Sequence, residues 1–198
     1  MEILPFDEVY LPQVINLMMS YWNQNSDEKI SDDLNNLIYE FTVKNNYYHN
    51  EYNYMIIENN VVKAIIFGYR YGQKNDAIGW LESQKKKLNV NEISNLEPII
   101  QYITGYDQLM DSYLTINDLK ISLFISSIPG GGTALLNHFF DKAKSNAINE
   151  IYLWTDTTCN HTYYPKRGFD LFFTESNNLD ETSNETIDTL FYKKKISN

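Results

Sequence analysis

The stretch from Leu119 to Leu136 constrains the fold more than any other. Leu119-Lys120-Ile121-Ser122-Leu123-Phe124-Ile125 is β-rich, and it runs into Ser127-Ile128-Pro129-Gly130-Gly131-Gly132, which holds three of the chain's eight glycines in a row. From Thr133 an amphipathic helix begins. Ala134, Leu135, Phe139 and Ala143, flanked by Leu136 and Phe140, make one face; Asp141, Lys142 and Lys144 make the other. The first N–H groups of a helix have no partner within it, and the helix dipole adds partial positive charge at the same end. Glycines remove the Cβ atoms that would hold a ligand away. Strand, glycine turn and helix in this order can therefore form a phosphate or pyrophosphate site. A plain turn also uses glycines, and the residues alone leave both readings open. The turn lacks a Gly-Lys-Ser/Thr ending, so it is not a Walker loop. It also lacks the Rossmann spacing and comes late in the chain.

The flanking segments alternate in type. Residues 2 to 5 suit a short strand. Val9, Leu11, Val14, Ile15, Met18 and Met19 fall near helical spacing up to about Trp22. Leu34, Leu37, Ile38 and Phe41 make a second helical face, with Ser31 or Asp32 as its N-cap. Tyr54 to Glu58 reads as a strand, Asn59-Asn60 as a tight turn and Val61 to Tyr71 as the return strand. Helical patterns around 78–88 and 96–113 suggest a helical insertion at about 73–117. After the glycine turn and its helix come a strand at Ile151 to Trp154 and a short helix near Thr162 to Lys166. Two closing strands, Phe169 to Phe173 and Thr189 to Lys194, flank a polar loop, Glu175 to Glu185, expected to be mobile.

Composition narrows the function classes. The net charge of −10 opposes general nucleic-acid binding. One cysteine, Cys159, excludes an internal disulfide framework. No apolar run approaches the roughly 20 residues of a membrane span, and the first residues lack a signal-peptide pattern. A cytoplasmic protein is expected. The three histidines and one cysteine show no metal-ligand spacing, so no metal is expected.

The segment Asn160-His161-Thr162-Tyr163-Tyr164-Pro165-Lys166-Arg167-Gly168-Phe169 resembles the "N…FYEKLGF" motif of the GNAT superfamily of acetyl-CoA-dependent N-acetyltransferases. "GGGTALL" resembles the end of that family's acetyl-CoA motif, and the order of elements agrees along the chain. The resemblance implies an α+β fold, with a mixed, mostly antiparallel central sheet and helices on both faces, in one domain over 1–198. It implies acetyl-CoA as cosubstrate and a primary amine of a small molecule or peptide as acceptor. It also allows a homodimer.

Carried over residue by residue, the resemblance assigns the pyrophosphate turn to Gly130, Gly131, Gly132, Thr133 and Ala134, with Ser127 where the family has Gln or Arg. The strand end Phe124, Ile125 and Ser126 would pair its backbone with the pantetheine arm, and Asn160 would hydrogen-bond that arm. Tyr164 matches the general acid that protonates the leaving thiolate; a phenol of pKa about 10 is protonated for that task. Asp156 falls on the acceptor side, as general base or amine ligand. Tyr21 and Trp22, with Asn23 and Trp154, fall where the acceptor binds. The turn is shorter than the family's, and Pro129 removes one N–H. Lys142 or Lys166 is the expected supplement, and Pro165 is expected to distort the short helix.

Each residue also has a structural reading. Tyr164 can pack a core, Asn160 can cap a helix, Asp156 can cap Thr158, and His161 can sit exposed on a helix. Cys159 has no basic neighbour in sequence and reads as structural. Two other functions fit the same residues: a non-catalytic acyl-CoA-binding module on this fold, and a globular protein whose turn binds a different nucleotide.

Overall fold

The computed structural model describes residues 2–22, 31–178 and 186–196. Strand β1 (Ile3–Pro5) leads through a short 3-10 turn into helix α1 (Leu11–Trp22), followed by α2 (Asp32–Asn46). A hairpin of β2 (Tyr54–Glu58) and β3 (Val61–Arg70) comes next, then helices α3 (Ala77–Lys85) and α4 (Val90–Asp111). Strand β4 (Leu119–Ser126), helix α5 (Gly131–Ser145) and strand β5 (Glu150–Asp156) follow. Two 3-10 turns, His161–Tyr163 and Pro165–Arg167, precede the closing hairpin of β6 (Asp170–Asn178) and β7 (Thr186–Lys195). The sheet order is β1-β2-β3-β4-β5-β7-β6. Among the described strands, only β4 and β5 run parallel.

Local signals explain the boundaries. The Ser31 hydroxyl accepts from the Leu34 N–H and caps α2. Asn59 and Asn60 take φ of 52° and 62°, the backbone of a tight hairpin. Helix α4 starts earlier than its apolar pattern suggests, because an Asn89–Glu92 capping box fixes its first turn while that turn faces solvent. Pro165 stands at the start of the second 3-10 turn, so the expected short helix is two tight turns instead.

The closing hairpin departs from expectation. Glu175 to Asn178 were expected in a mobile loop, yet they pair with Thr189 to Thr186 on β7. Two of the polar side chains find partners: Ser176 Oγ donates to Asp188 Oδ1 at 2.6 Å, and Asn177 Nδ2 donates to the Tyr106 hydroxyl of α4 at 2.6 Å. Residues 179–185 of that loop lie outside the described residues.

Strand alternation gives the sheet two apolar faces. Ile56, Ala64, Ile66, Leu119 and Ile121 pack under α5 with Leu135, Leu136 and Phe139. Met55, Ile65, Phe67, Leu123 and Ile125 pack under α1 and α2 with Val14, Met18 and Val43. Helix α3 and the first half of α4 bury Ala77, Leu81, Leu96 and Ile100 against Leu34 and Phe41 of α2. The second half of α4 sets Tyr106 and Met110 on Tyr152 and Phe191 of β5 and β7. The two helices between β3 and β4 thus extend the α1–α2 layer across the sheet.

One register shift shapes the cleft. Phe67 faces Leu123 and Gly68 faces Ile121, so Ser122 is an extra residue in β4. Such a bulge bends a strand and turns its side chains over. The Ser122 hydroxyl donates to the Asn46 carbonyl at 2.7 Å and fixes it to the end of α2. Strands β4 and β5 pair only at Leu119–Ile151 and Lys120–Tyr152. Beyond Lys120 they separate as a wedge.

Candidate active site

A buried ionic cluster closes the narrow end of the wedge. Lys120, 1% exposed, donates to Asp107 Oδ1 at 2.6 Å. The same oxygen accepts from Trp154 Nε1 at 2.8 Å, and Asp107 Oδ2 accepts from Asn45 Nδ2 at 2.7 Å. The Tyr69 hydroxyl donates to Asp111 Oδ1 at 2.6 Å. Burial pushes the Asp111 carboxyl above its usual range, against the nearby Lys120 charge. One cluster therefore joins α2, α4, β3, β4 and β5.

Backbone direction decides which groups of β4 face the wedge. Ser127 N–H donates to the Lys63 carbonyl at 2.8 Å, and the register places Ile125 opposite Ile65 two residues earlier. In an antiparallel ladder every second residue bonds the neighbouring strand. The backbone of Ile125, expected to meet the pantetheine arm, is thus turned to β3, and its side chain is buried in the α1–α2 core. Phe124 and Ser126 direct their backbone groups towards the β5 side. The Ser126 carbonyl there accepts the Tyr21 hydroxyl at 2.9 Å, so Tyr21 spans from α1 to the mouth of the wedge.

The glycine turn has internal reasons for its composition. Gly130 is left-handed, with φ of 78°. A Cβ on Gly131 would lie 2.6 Å from Ile128 Cγ1, and one on Gly132 would lie 3.2 Å from Phe124 Cζ. Two of the three glycines therefore let the turn close on β4, beyond any clearance they give a ligand. The Gly131 N–H donates to the Ile128 carbonyl and the Ala134 N–H to the Gly130 carbonyl. Among the described residues, nothing accepts from the N–H groups of Gly132 and Thr133.

Of the side chains expected at the turn, Ser127 and Lys142 have partners elsewhere. The Ser127 hydroxyl donates to the Lys63 carbonyl at 2.8 Å, away from the turn. Lys142 pairs with Glu51 at 2.6 Å, and Lys166 is exposed. The cation at the turn is Arg167, whose Nη2 donates to Thr133 Oγ1 at 2.6 Å and whose guanidinium lies over the Tyr163 ring at 5.0 Å. Its signal in the sequence is the Lys166-Arg167 pair that precedes Gly168.

Tyr164 stands between the two 3-10 turns, its ring against Tyr163, Phe169 and Tyr192. Burial first, then Cys159, Tyr163 and Tyr192, pushes its phenol well above the usual value. Beside it, the Tyr163 hydroxyl is buried and has no hydrogen-bond partner among the described residues. Buried polar groups are rarely left so. Asn160 occupies the cap position of the first 3-10 turn but makes no capping bond; its Oδ1 accepts from Thr162 Oγ1 at 3.3 Å. Asp156 Oδ1 accepts from both the N–H and the hydroxyl of Thr158. The Cys159 thiol is raised by burial and then by Asp156, the opposite of an activated thiolate. His161 Nδ1 faces the Cys159 carbonyl at 3.2 Å.

Among the residues expected to meet the acceptor, Trp22 stacks on Tyr39 with ring centres 6.3 Å apart; Asn23 lies outside the described residues. Trp154 packs edge-on to Tyr102 at 6.0 Å. Tyr102, from α4, was missed in the sequence. Its hydroxyl lies 3.0 Å from Thr189 Oγ1, and burial, with Asp156 among the nearby charges, pushes it up to about 12. Among the described residues, no group of three or more His, Cys, Asp or Glu side chains is placed to hold a metal.

The architecture matches solved structures over its whole length. Ribosomal-protein-S18-alanine N-acetyltransferase from Escherichia coli superposes with a TM-score of 0.59 and 13% identity, covering 100% of this chain and 94% of that one. The chain has the GNAT fold. A polyamine N-acetyltransferase from Drosophila melanogaster gives a TM-score of 0.61 at 10% identity, over 98% of this chain and 99% of that one. Ard1 from Thermoplasma volcanium gives 0.57 at 13% identity, over 100% and 98%. No family model and no curated protein sequence matches the chain. At such identities the likeness is one of fold, and the GNAT order of strands is what places the wedge and the turn side by side. No described helix is long and apolar enough to cross a membrane.

Proposed function

We propose that this protein is an N-acetyltransferase that moves an acetyl group directly from acetyl-CoA to a primary amine of a small molecule or peptide. The wedge between β4 and β5 carries this reading: it leads from the backbone of Phe124 and Ser126 to the open N–H groups of Gly132 and Thr133. The Tyr163 ring lies 5.9 Å from that of Phe124, and its buried hydroxyl, without a partner among the described residues, is a further polar group suited to a ligand.

Bound acetyl-CoA supplies an activated acyl thioester. The N–H groups of Gly132 and Thr133, at the positive end of α5, hold its pyrophosphate. The strand edge of Phe124 and Ser126 aligns the arm as an added strand would. A β4 N–H facing the wedge stabilises the developing oxyanion. Asp156, on the acceptor side with Trp154 and Tyr102, orients the amine and takes up its proton, directly or through water. Tyr164, protonated at neutral pH, delivers a proton to the departing thiolate. Positioning supplies much of the rate, because the thioester is already activated.

Calorimetric titration with acetyl-CoA, followed by a thiol-release assay over a panel of amines, tests the reading. Micromolar binding with thiol release is the expected result. No binding at millimolar acetyl-CoA overturns it. The same open N–H groups of Gly132 and Thr133 would equally serve a second reading, a non-catalytic acyl-CoA-binding module. Tight binding with no thiol release on any amine would select that one.

A further inference from the structure

The glycine turn offers few groups to a diphosphate. Gly131 spends its N–H inside the turn, Pro129 has none, and Ser127 faces β3. Arg167 lies against the same turn. Its Nη2 donates to Thr133 Oγ1, on the first turn of α5, and its planar face rests on the Tyr163 ring. In a chain with 26 acidic residues, no described carboxylate forms an ion pair with this guanidinium. Lys120, Lys142, Lys85 and Lys193, by contrast, each have an acidic partner. A guanidinium carries five N–H donors in a rigid fork, which suits bidentate contact with phosphate. The hydroxyl of the same Tyr163 is buried and has no partner among the described residues.

We infer that Arg167 is the anion-binding side chain of this turn and contacts the diphosphate of the bound coenzyme, in the place of the Gln or Arg that the turn itself lacks. The inference rests on the acetyl-CoA reading. Thr133 and the Tyr163 ring hold the guanidinium before the ligand arrives, so little of its rotamer freedom is lost on binding. The remaining donors of the fork and the N–H groups of Gly132 and Thr133 then meet the ligand from two sides. Arg167 is a binding residue, remote in chemistry from the acyl transfer itself.

The test compares the native protein with Arg167→Ala in calorimetric titrations of coenzyme A and of dephospho-coenzyme A, which keeps the diphosphate and lacks the 3′-phosphate. Loss of one charged hydrogen-bonding group predicts about a tenfold to hundredfold weaker affinity for both. The native affinity should also fall more steeply with salt than that of the variant. Equal affinity of variant and native protein overturns the inference and leaves the acetyl-CoA reading intact. Weaker binding of coenzyme A alone assigns Arg167 to the 3′-phosphate and overturns the diphosphate contact. No binding to the native protein overturns the acetyl-CoA reading, and the inference with it. Thermal unfolding checks that the variant is folded. If it is not, Arg167→Lys takes its place. That variant keeps the charge and loses the fork, so an affinity about threefold to tenfold weaker is expected for both ligands. Unchanged affinity overturns the inference.

Discussion

Lys120 Nζ lies 2.6 Å from Asp107 Oδ1, at the last paired residue of β4 before β5 leaves it. The pair joins a helix that follows β3 to the narrow end of the wedge, and Trp154 shares the same carboxylate oxygen. Removing Asp107 leaves the buried Lys120 charge with Asp111 alone, 3.8 Å away, and should cost about 3 kcal/mol, the low end for breaking a buried pair. Asp107→Ala should therefore destabilise the fold by about that much, whereas Asp107→Ala combined with Lys120→Met should recover a large part of the loss. Urea unfolding of the three proteins checks this, and equal stability of the single and double variants would contradict it.

Asp111 gives a pH signature of opposite sign. Its carboxyl is raised in the fold, chiefly by burial, so protonation favours the folded state. Its contribution is fully present below the ordinary value of 3.8 and is lost as pH rises through the raised one. Asp111→Asn should be neutral or stabilising at pH 7 relative to the native protein, with the advantage disappearing in acid. Unfolding curves at both ends of the range measure this.

Tyr164→Phe removes a hydroxyl without a hydrogen-bond partner among the described residues, so stability should change by less than about 1 kcal/mol. Turnover should fall about tenfold or more while acetyl-CoA affinity stays constant, as for the loss of a general acid. Because the phenol is raised above its ordinary value of 10.0, the ratio of native to variant turnover should hold through pH 10. Steady-state rates across pH decide the matter, and equal turnover removes Tyr164 from the mechanism.

Tyr21→Phe frees the Ser126 carbonyl on the wedge side. If the coenzyme arm pairs there, as proposed, it no longer competes with the phenol, and acetyl-CoA affinity should rise by about twofold to tenfold. Calorimetry on the variant gives the answer, and weaker binding would mean that Tyr21 itself holds the ligand.

Much of this fold was legible in the sequence because its elements are bounded by local chemistry. Ser31 caps α2, Asn59-Asn60 turns the hairpin, and the glycines separate β4 from α5. The polar half of the β6–β7 hairpin was not legible, since a ladder exposed on its outer part carries no apolar period. The bulge at Ser122 was equally silent, because a single extra residue leaves no compositional mark. The site followed the same rule. Positions within the motif could be read off, but Tyr102 and Asp107 come from α4, and only tertiary packing brings them to β5. The choice of Arg167 over Lys166 or Lys142 likewise needed the Thr133 contact.

The bulge at Ser122 also leaves its mark on time rather than shape. Past it, successive amides of β4 point alternately into a complete ladder and into the open wedge. In deuterated water the protons of Phe124 and Ser126 should be replaced well before those of Leu123 and Ile125, a striped pattern of protection along one strand. A ligand that lies down as an extra strand would slow the fast stripe and leave the slow one unchanged, so the kinetics of isotope uptake would record occupancy of the wedge residue by residue.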